Sequence, residues 1–183
     1  MPKDISRKFR KIRQDIYEEV SRLVVEEFPD LDGRIRLTEI TMNALDARIN
    51  NWEQHPDPER QILDDPEDWR TTTDRYKRDH PTRLELAIWY DDTLCGLMLG
   101  KPSEGRLVVK INFIEGAFEN PLKGMILPIA TQCAELFASF IGAPWVGIQD
   151  PLDGVRWRYE ELGFTLLDQF DPRNNAMYKR IFV

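Results

Sequence analysis

Cysteine and histidine are the scarcest chemistry-bearing residues of this chain, two of each among 183. Cys95 and Cys133 lie in apolar segments, one strand-like and one helical, so neither a disulfide framework nor a thiolate metal site is expected. His55 and His80 are too far apart in sequence to suggest a metal pair; His80 precedes Pro81 at an expected helix end, and His55 sits in a loop. Also missing are a Gly-x-Ser-x-Gly elbow, a Gly-x-x-x-x-Gly-Lys-Ser/Thr loop and a His-Glu-x-x-His helix, which leaves hydrolase, P-loop and zincin chemistries without support. No apolar run approaches the roughly 20 residues that span a bilayer, and the charged, amphipathic amino terminus is unlike a signal peptide. The expected setting is cytoplasmic, with no membrane partner. Positive charge is in deficit as well. The formal net charge is −7, which opposes general nucleic-acid binding, because neutralising phosphates takes clustered Lys and Arg.

What is present suffices for one well-cored domain over 1–183, on a prior of roughly 150 residues per domain. About the first 82 residues read as helical. Lys3, Arg7, Lys8, Arg10, Lys11 and Arg13 crowd the start of a helix whose apolar face carries Phe9, Ile12, Ile16, Val20, Leu23, Val24 and Phe28. Cations at a helix N-terminus oppose its dipole, so two readings stay open: a solvated face, or a contact for an anionic partner. Thr41 is placed to cap a helix holding Met42, Leu45 and Ile49, and Asp65-Pro66-Glu67-Asp68 signs the start of another, through about Lys77. From Arg83 the period changes to that of strands. Segments 83–90 and 93–99 read as a hairpin about Asp91-Asp92, and 107–114 as a third strand with Val109, Ile111 and Phe113 on one face. Segment 143–149 is a fourth strand, and 164–170 with 176–183 a closing hairpin.

Between the third and fourth strands lie the turn Asn120-Pro121-Leu122-Lys123-Gly124 and an amphipathic helix with Ile126, Ile129, Ala130, Cys133, Phe137, Phe140 and Ile141 on one stripe. A helix start presents unpaired N–H groups and partial positive charge, so it can hold an anion through backbone alone. Asn120 is placed to cap and Pro121 to take the first helical position. Lys123 adds a full charge, and Gly124 admits a close ligand. Pro128 then falls where it would bend the helix or delay its start to near Gly124. After the fourth strand a short helix closes on Tyr159-Glu160-Glu161-Leu162-Gly163-Phe164. This order of elements, ending in Tyr-x-x-x-Gly-Phe, resembles the GNAT superfamily of N-acetyltransferases over about half of the chain, from about Leu84 onward. The turn departs from that family's pattern, with Pro121 at the position of a Gln or Arg and Ile126 at that of a small residue. Gly124 alone matches.

The resemblance implies an α+β fold of the broad α/β type, a mixed, mainly antiparallel sheet flanked by helices on both faces, with about 1–82 shaping the acceptor side. It implies acetyl-CoA as cosubstrate, transfer of the acetyl group to an amine of a small-molecule or protein acceptor, and a homodimer as a candidate assembly. On that basis Ile114, Gly116, Asn120, Lys123, Gly124 and Met125 are the cofactor-binding candidates, and Trp52, Trp69, Tyr76 and Glu85 the acceptor-binding ones. Tyr159 matches the general acid toward the CoA sulfur, and Glu115, at the end of the third strand, is the candidate base. Each has a plainer alternative: Tyr159 packs with Leu162 and Phe164, the other aromatics pin helices to the sheet, and Glu115 opens an exposed loop. A GNAT-fold binding or regulatory module without catalysis is the alternative to the enzyme.

Overall fold

The amino-terminal apolar stripe forms a long helix, α1 (Pro2–Glu27), in a computed structural model that describes residues 2–61, 68–166 and 175–181. It is followed by β1 (Ile35–Thr38), α2 (Met42–Arg48), a π-type turn (Ile49–Glu53) and α3 (Trp69–Asp79). Then come β2 (Leu84–Tyr90), β3 (Thr93–Pro102), β4 (Val108–Gly116), α4 (Ile126–Ile141), β5 (Trp145–Gln149), α5 (Arg156–Glu161), β6 (Thr165–Leu166) and β7 (Ala176–Arg180). One sheet runs in the order β1-β2-β3-β4-β5-β7-β6, antiparallel throughout except for the parallel pair β4–β5. The expected mixed sheet with helices on both faces is therefore what forms. β1 was not anticipated, being only four residues long. The expected helix-start residues Asp65, Pro66 and Glu67, and the stretch 167–174 of the closing hairpin, lie outside the described residues.

The helix starts follow their side-chain chemistry. Thr41 Oγ1 accepts from Ala44 N at 3.3 Å, and Asp68 accepts from Arg70 N and Thr71 N at 3.1 and 3.3 Å, so both residues satisfy N–H groups that a first turn leaves open. α1 and α4 cover one face, where Phe9, Ile16, Val20 and Val24 meet Ile129, Cys133 and Phe137 over Leu86, Ile88, Val109 and Ile111. Each such large apolar side chain contributes roughly 1.5–3 kcal/mol by leaving water. α2 and α3 cover the other face, with Trp52, Trp69 and Tyr76 against Ala87, Trp89, Leu97 and Leu99.

The alternation expected along β4 breaks at Asn112. Leu99 pairs with Phe113 but Gly100 with Ile111, so Asn112 is a bulged residue with no partner on β3. Val109 and Ile111 face α1 and α4, whereas Phe113 turns to the α2–α3 side; the expectation of one shared face is corrected by that single extra residue. Opposite the bulge only glycine fits, since a Cβ on Gly100 would stand 2.4 Å from the Lys110 carbonyl oxygen.

The start of α4 is also later than the sequence suggests. Asn120 does not cap it. Its Oδ1 accepts from Leu122 N at 2.9 Å and its Nδ2 donates to Cys95 O at 2.8 Å, pinning a separate turn to β3. The helix begins at Ile126, which makes Pro128 its third residue, where the missing N–H would have had no intrahelical acceptor. No bend is needed.

Candidate functional site

β4 and β5 pair only from Val108 to Ile111 on the β4 side, while β4 continues to Gly116. The strands part there, leaving the β5-facing edge of β4 open over five residues. A cavity of about 560 Å³ occupies the gap, within the range typical of small-ligand sites. One wall is the end of β4, Ile114 to Gly116. A second is the turn at Lys123 and Gly124 with the first residues of α4. The third is α5, through Trp157, Arg158 and Tyr159.

The second wall is built to receive an anion. Ile126 and Leu127 are the first two helical residues, so their N–H groups lack intrahelical acceptors, and the dipole adds positive potential. Gly124 has φ +86°, a conformation that a side chain would strain, and nothing lies within 4 Å of where its Cβ would be. Lys123 is exposed beside it. Ile126, bulky where the resembling family has a small residue, is accommodated by the sheet: a Cβ on Gly96 would come 2.8 Å from Ile126 Cγ2.

α5 owes its shape to its last turn. Gly163 has φ +89°, Phe164 N donates to Tyr159 O at 3.0 Å and Gly163 N to Glu160 O at 2.9 Å, the paired bonds of a Schellman stop. The apolar contact that accompanies such a stop is made by the rings of Tyr159 and Phe164, 6.4 Å apart and edge to face. The Tyr-x-x-x-Gly-Phe signature is thus first a way to end a helix, and Tyr159 does pack as its plainer reading holds. It also lines the cavity. Burial pushes its phenol above the usual tyrosine range, because the charged form loses hydration, so it stays protonated at neutral pH.

Glu115 sits on the wall formed by β4, but it is not alone. The bulge turns it toward α2 and α3, where Arg48 donates through Nε at 3.2 Å and through Nη2 at 3.1 Å to each oxygen, and Trp69 Nε1 donates to Oε2 at 2.5 Å. Arg48 is only 2% exposed and pairs on its other side with Glu53. Glu115, the expected base, therefore stands in the cavity wall as a carboxylate held by donors from α2 and α3. Arg48 gave no signal in the sequence beyond being a cation in the last turn of a helix.

Of the cofactor candidates, Ile114, Gly116, Asn120, Lys123 and Gly124 line the cavity, while Met125 packs toward the α1–α4 core. The acceptor candidates fare differently. Trp52 and Tyr76 are buried at 3% and 4% exposure, and Trp52 Nε1 donates to Leu94 O. Trp69 serves Glu115 from behind. None lines the cavity, because these rings fill the interface between α2, α3 and the sheet. Glu85 is fully buried, held by Arg83 at 2.7 Å, by Ile40 N at 2.9 Å and near Lys77 and Arg13, and it does not line the cavity. Of the basic cluster of α1, Arg13 is buried against Glu39 and the Arg83 carbonyl, while Arg10 pairs with Glu39 and Lys11 with Asp15 at the surface, where Arg7 and Lys8 also lie. Both cysteines are buried with thiols pushed up by desolvation, that of Cys95 to about 11, which suits neither to nucleophilic work.

No protein-family model and no curated protein matches the chain. Solved structures do match. A GNAT-family acetyltransferase from Staphylococcus aureus Mu50 superposes with a TM-score of 0.59 at 9% identity, covering 81% of this chain and 99% of its own. Ard1 from Thermoplasma volcanium gives 0.57 at 11% identity over 82% and 99%. PaiA N-acetyltransferase from Thermoplasma acidophilum, solved in complex with coenzyme A, gives 0.53 at 15% over 80% and 99%. At such identities the likeness is one of fold, and the fold is that of the GNAT acetyltransferases. Among the described residues no helix is long and apolar enough to cross a membrane.

Proposed function

We propose that this chain is an acetyl-CoA-dependent N-acetyltransferase acting in a reducing cytoplasm on an amine of a small-molecule or protein acceptor. The observation that carries the reading is the meeting of three features in one cavity: an anion-receiving helix start, an open strand edge, and a buried, protonated tyrosine hydroxyl bearer. Acetyl-CoA, when bound, supplies an acyl group on a thiolate leaving group and a diphosphate to anchor it. Lys123 and the N–H groups of Ile126 and Leu127 hold the anion. The edge of β4 past Ile111 offers backbone donors and acceptors to an extended amide-bearing arm, as a sheet edge does to a peptide. Tyr159 keeps a proton in the cavity for the departing sulfur. Glu115, fixed by Arg48 and Trp69, orients the incoming amine, whose proton leaves to water.

The departures at Pro121 and Ile126 were the ground for a non-catalytic module, and both have local explanations. Pro121 belongs to a turn that precedes the helix, and Ile126 is seated over Gly96. The test is calorimetry with acetyl-CoA, followed by thiol release against an amine panel. Tyr159→Phe keeps the ring that stops α5 and removes only the donor, so kcat should fall roughly 10²- to 10⁴-fold while the melting temperature holds. Full turnover by this variant reduces Tyr159 to packing. Tight binding without turnover by the parent protein favours the module.

A further inference from the structure

Lys110 has no part in the roles above. It stands on β4 one residue before the last pair with β5, on the sheet face opposite to Val109 and Ile111, which meet α1 and α4. Its neighbours make room for the stem: Gly147 has no side chain where a Cβ would stand 3.0 Å from Tyr178 Cε1 and 3.3 Å from Lys110 Cγ. The ammonium lies 5.8 Å from the centre of the Tyr178 ring and donates to Gln149 Oε1 at 3.0 Å, so it points past Ile148, the last paired residue of β5, toward the place where the strands part. Its hydrogen-bond acceptor is thus a neutral amide, and among the described residues no carboxylate pairs with it. Asn112, the first β4 residue beyond the last pair, has its Oδ1 buried without a donor among the described residues. Buried oxygens in that state are few in a folded protein, and each calls for a cause. Glu115, held by Arg48 and Trp69, stands further along the same face.

Resting on the acetyl-CoA reading, we propose that the acceptor is a small amino acid whose carboxylate is taken by Lys110 while its amine is turned toward Glu115. From 110 to 115 the strand rises about 3.3 Å per residue, which with the bulge comes to about 13 Å, and the reach of Lys110 toward Gln149 leaves about 10 Å between the two charges. Hydrogen bonds at the two ends take up about half of that. What remains fits a short ω-amino acid, and an N–H of its ammonium is the donor that Asn112 Oδ1 lacks. A carboxylate gives Lys110 a charge-assisted bond, whereas an amine without one brings only a second positive charge to the same cleft. Attraction at one end and repulsion otherwise make the choice of acceptor. In the transfer the amine nitrogen bonds to the acetyl carbon, the carbon–sulfur bond breaks and the sulfur takes a proton from Tyr159; of the two protons that the ammonium sheds, one returns to Tyr159 and one goes to water.

Calorimetry first measures acetyl-CoA binding to the whole chain. Thiol release then compares glycine, β-alanine, γ-aminobutyrate and δ-aminovalerate with their carboxamides, rates being referred to the unprotonated amine. At least one amino acid should exceed its carboxamide about tenfold in kcat/KM, the difference lying in KM, as one charge-assisted contact requires. Lys110→Met keeps a stem over Tyr178 and removes the charge, so KM for that amino acid should rise about tenfold, to the carboxamide's value, with kcat held. Lys110→Arg, which keeps the charge, should retain the preference. Carboxamides used as well as amino acids by the parent protein, or a Lys110→Met loss shared equally by both series, overturns the acceptor class and leaves the acetyl-CoA reading intact. Thiol release with neither series also overturns the acceptor class, while calorimetric binding of acetyl-CoA still stands. No binding of acetyl-CoA to the parent protein overturns both.

Discussion

Replacing Arg48 by Met tests whether the Glu53–Arg48–Glu115 network fixes the acceptor side of the cavity. Methionine has similar length and no charge, so it fills the space while leaving two carboxylates without their cation. Removing one member of a buried ion pair typically costs about 3–5 kcal/mol, because the remaining charge is left desolvated. Here the carboxylates keep some water, Glu115 being 21% and Glu53 35% exposed at the side chain. The loss should therefore lie near the lower bound, about 3 kcal/mol, or a fall of about 6–12 °C in melting temperature for a chain of this size. Glu115→Gln should cost less, since the amide oxygen still accepts from Trp69 and Arg48 keeps Glu53. The pair is isolated by combining the two changes. The double variant should be less destabilised than the sum of the singles by about 1–3 kcal/mol, as residues in one network couple. Arg48→Lys should not restore stability, because a point charge cannot donate to both oxygens of Glu115 and to Glu53 at once. Urea denaturation followed by circular dichroism measures all four proteins. Additive effects, or a loss below about 1 kcal/mol for Arg48→Met, would refute the argument that this network organises the wall.

The cofactor turn and the acid side of the stability curve give the remaining expectations. Lys123→Ala should weaken coenzyme A by roughly 1.5–3 kcal/mol without moving the melting temperature, because Lys123 is exposed and makes no contact the fold needs. Gly124→Val should lose affinity and also some stability, since φ +86° costs a side-chain-bearing residue about 1–2 kcal/mol; unchanged melting would mean that the turn relaxes. Burial first, and the neighbouring Lys101 second, hold the His80 imidazole below its usual range. Its folded-state value is depressed, so the stability it contributes is present above the unfolded value of about 6.5 and lost as pH falls through the lower folded one. Melting temperatures from pH 7.5 to 5 should fall less steeply in His80→Gln than in the parent, and parallel curves would dismiss the effect.

Much of the frame could be read from residue types alone. The caps at Thr41 and Asp68, the α4 stripe through Ile129, Cys133 and Phe137, and the stop at Gly163 are local matters, decided by neighbours within a turn or two. What escaped depends on long-range placement. Trp52, Trp69 and Tyr76 could equally have lined a pocket or filled an interface, because an aromatic side chain serves either and only the packing of α2 and α3 on the sheet decides. Arg48 looks like any helix-end cation until a carboxylate 67 residues later is brought against it. Glu85 was eligible for the cavity wall only until its burial between Arg83 and the Ile40 amide was seen.

The character of the candidate site turns on the bulge at Asn112. Had the alternation of Val109, Ile111 and Phe113 run on, Glu115 would face α4 and Ile114 would face Arg48. A carboxylate would then press into the apolar helix stripe, and a buried guanidinium would meet an aliphatic chain; each arrangement costs several kcal/mol in lost hydration. One extra residue reverses both placements, bringing Ile114 against the α1–α4 core and Glu115 against its cation. The signal for that reversal does not lie in β4. It lies in Gly100 on β3, where the absence of a Cβ lets the bulged backbone close to contact distance. A glycine in a buried strand is thus the sequence mark of a bulge on the neighbouring strand, legible only once the pairing is known. The same bulge falls one residue past Ile111, where β4 stops pairing with β5, so the device that orients Glu115 also marks where the strands part and the cavity opens.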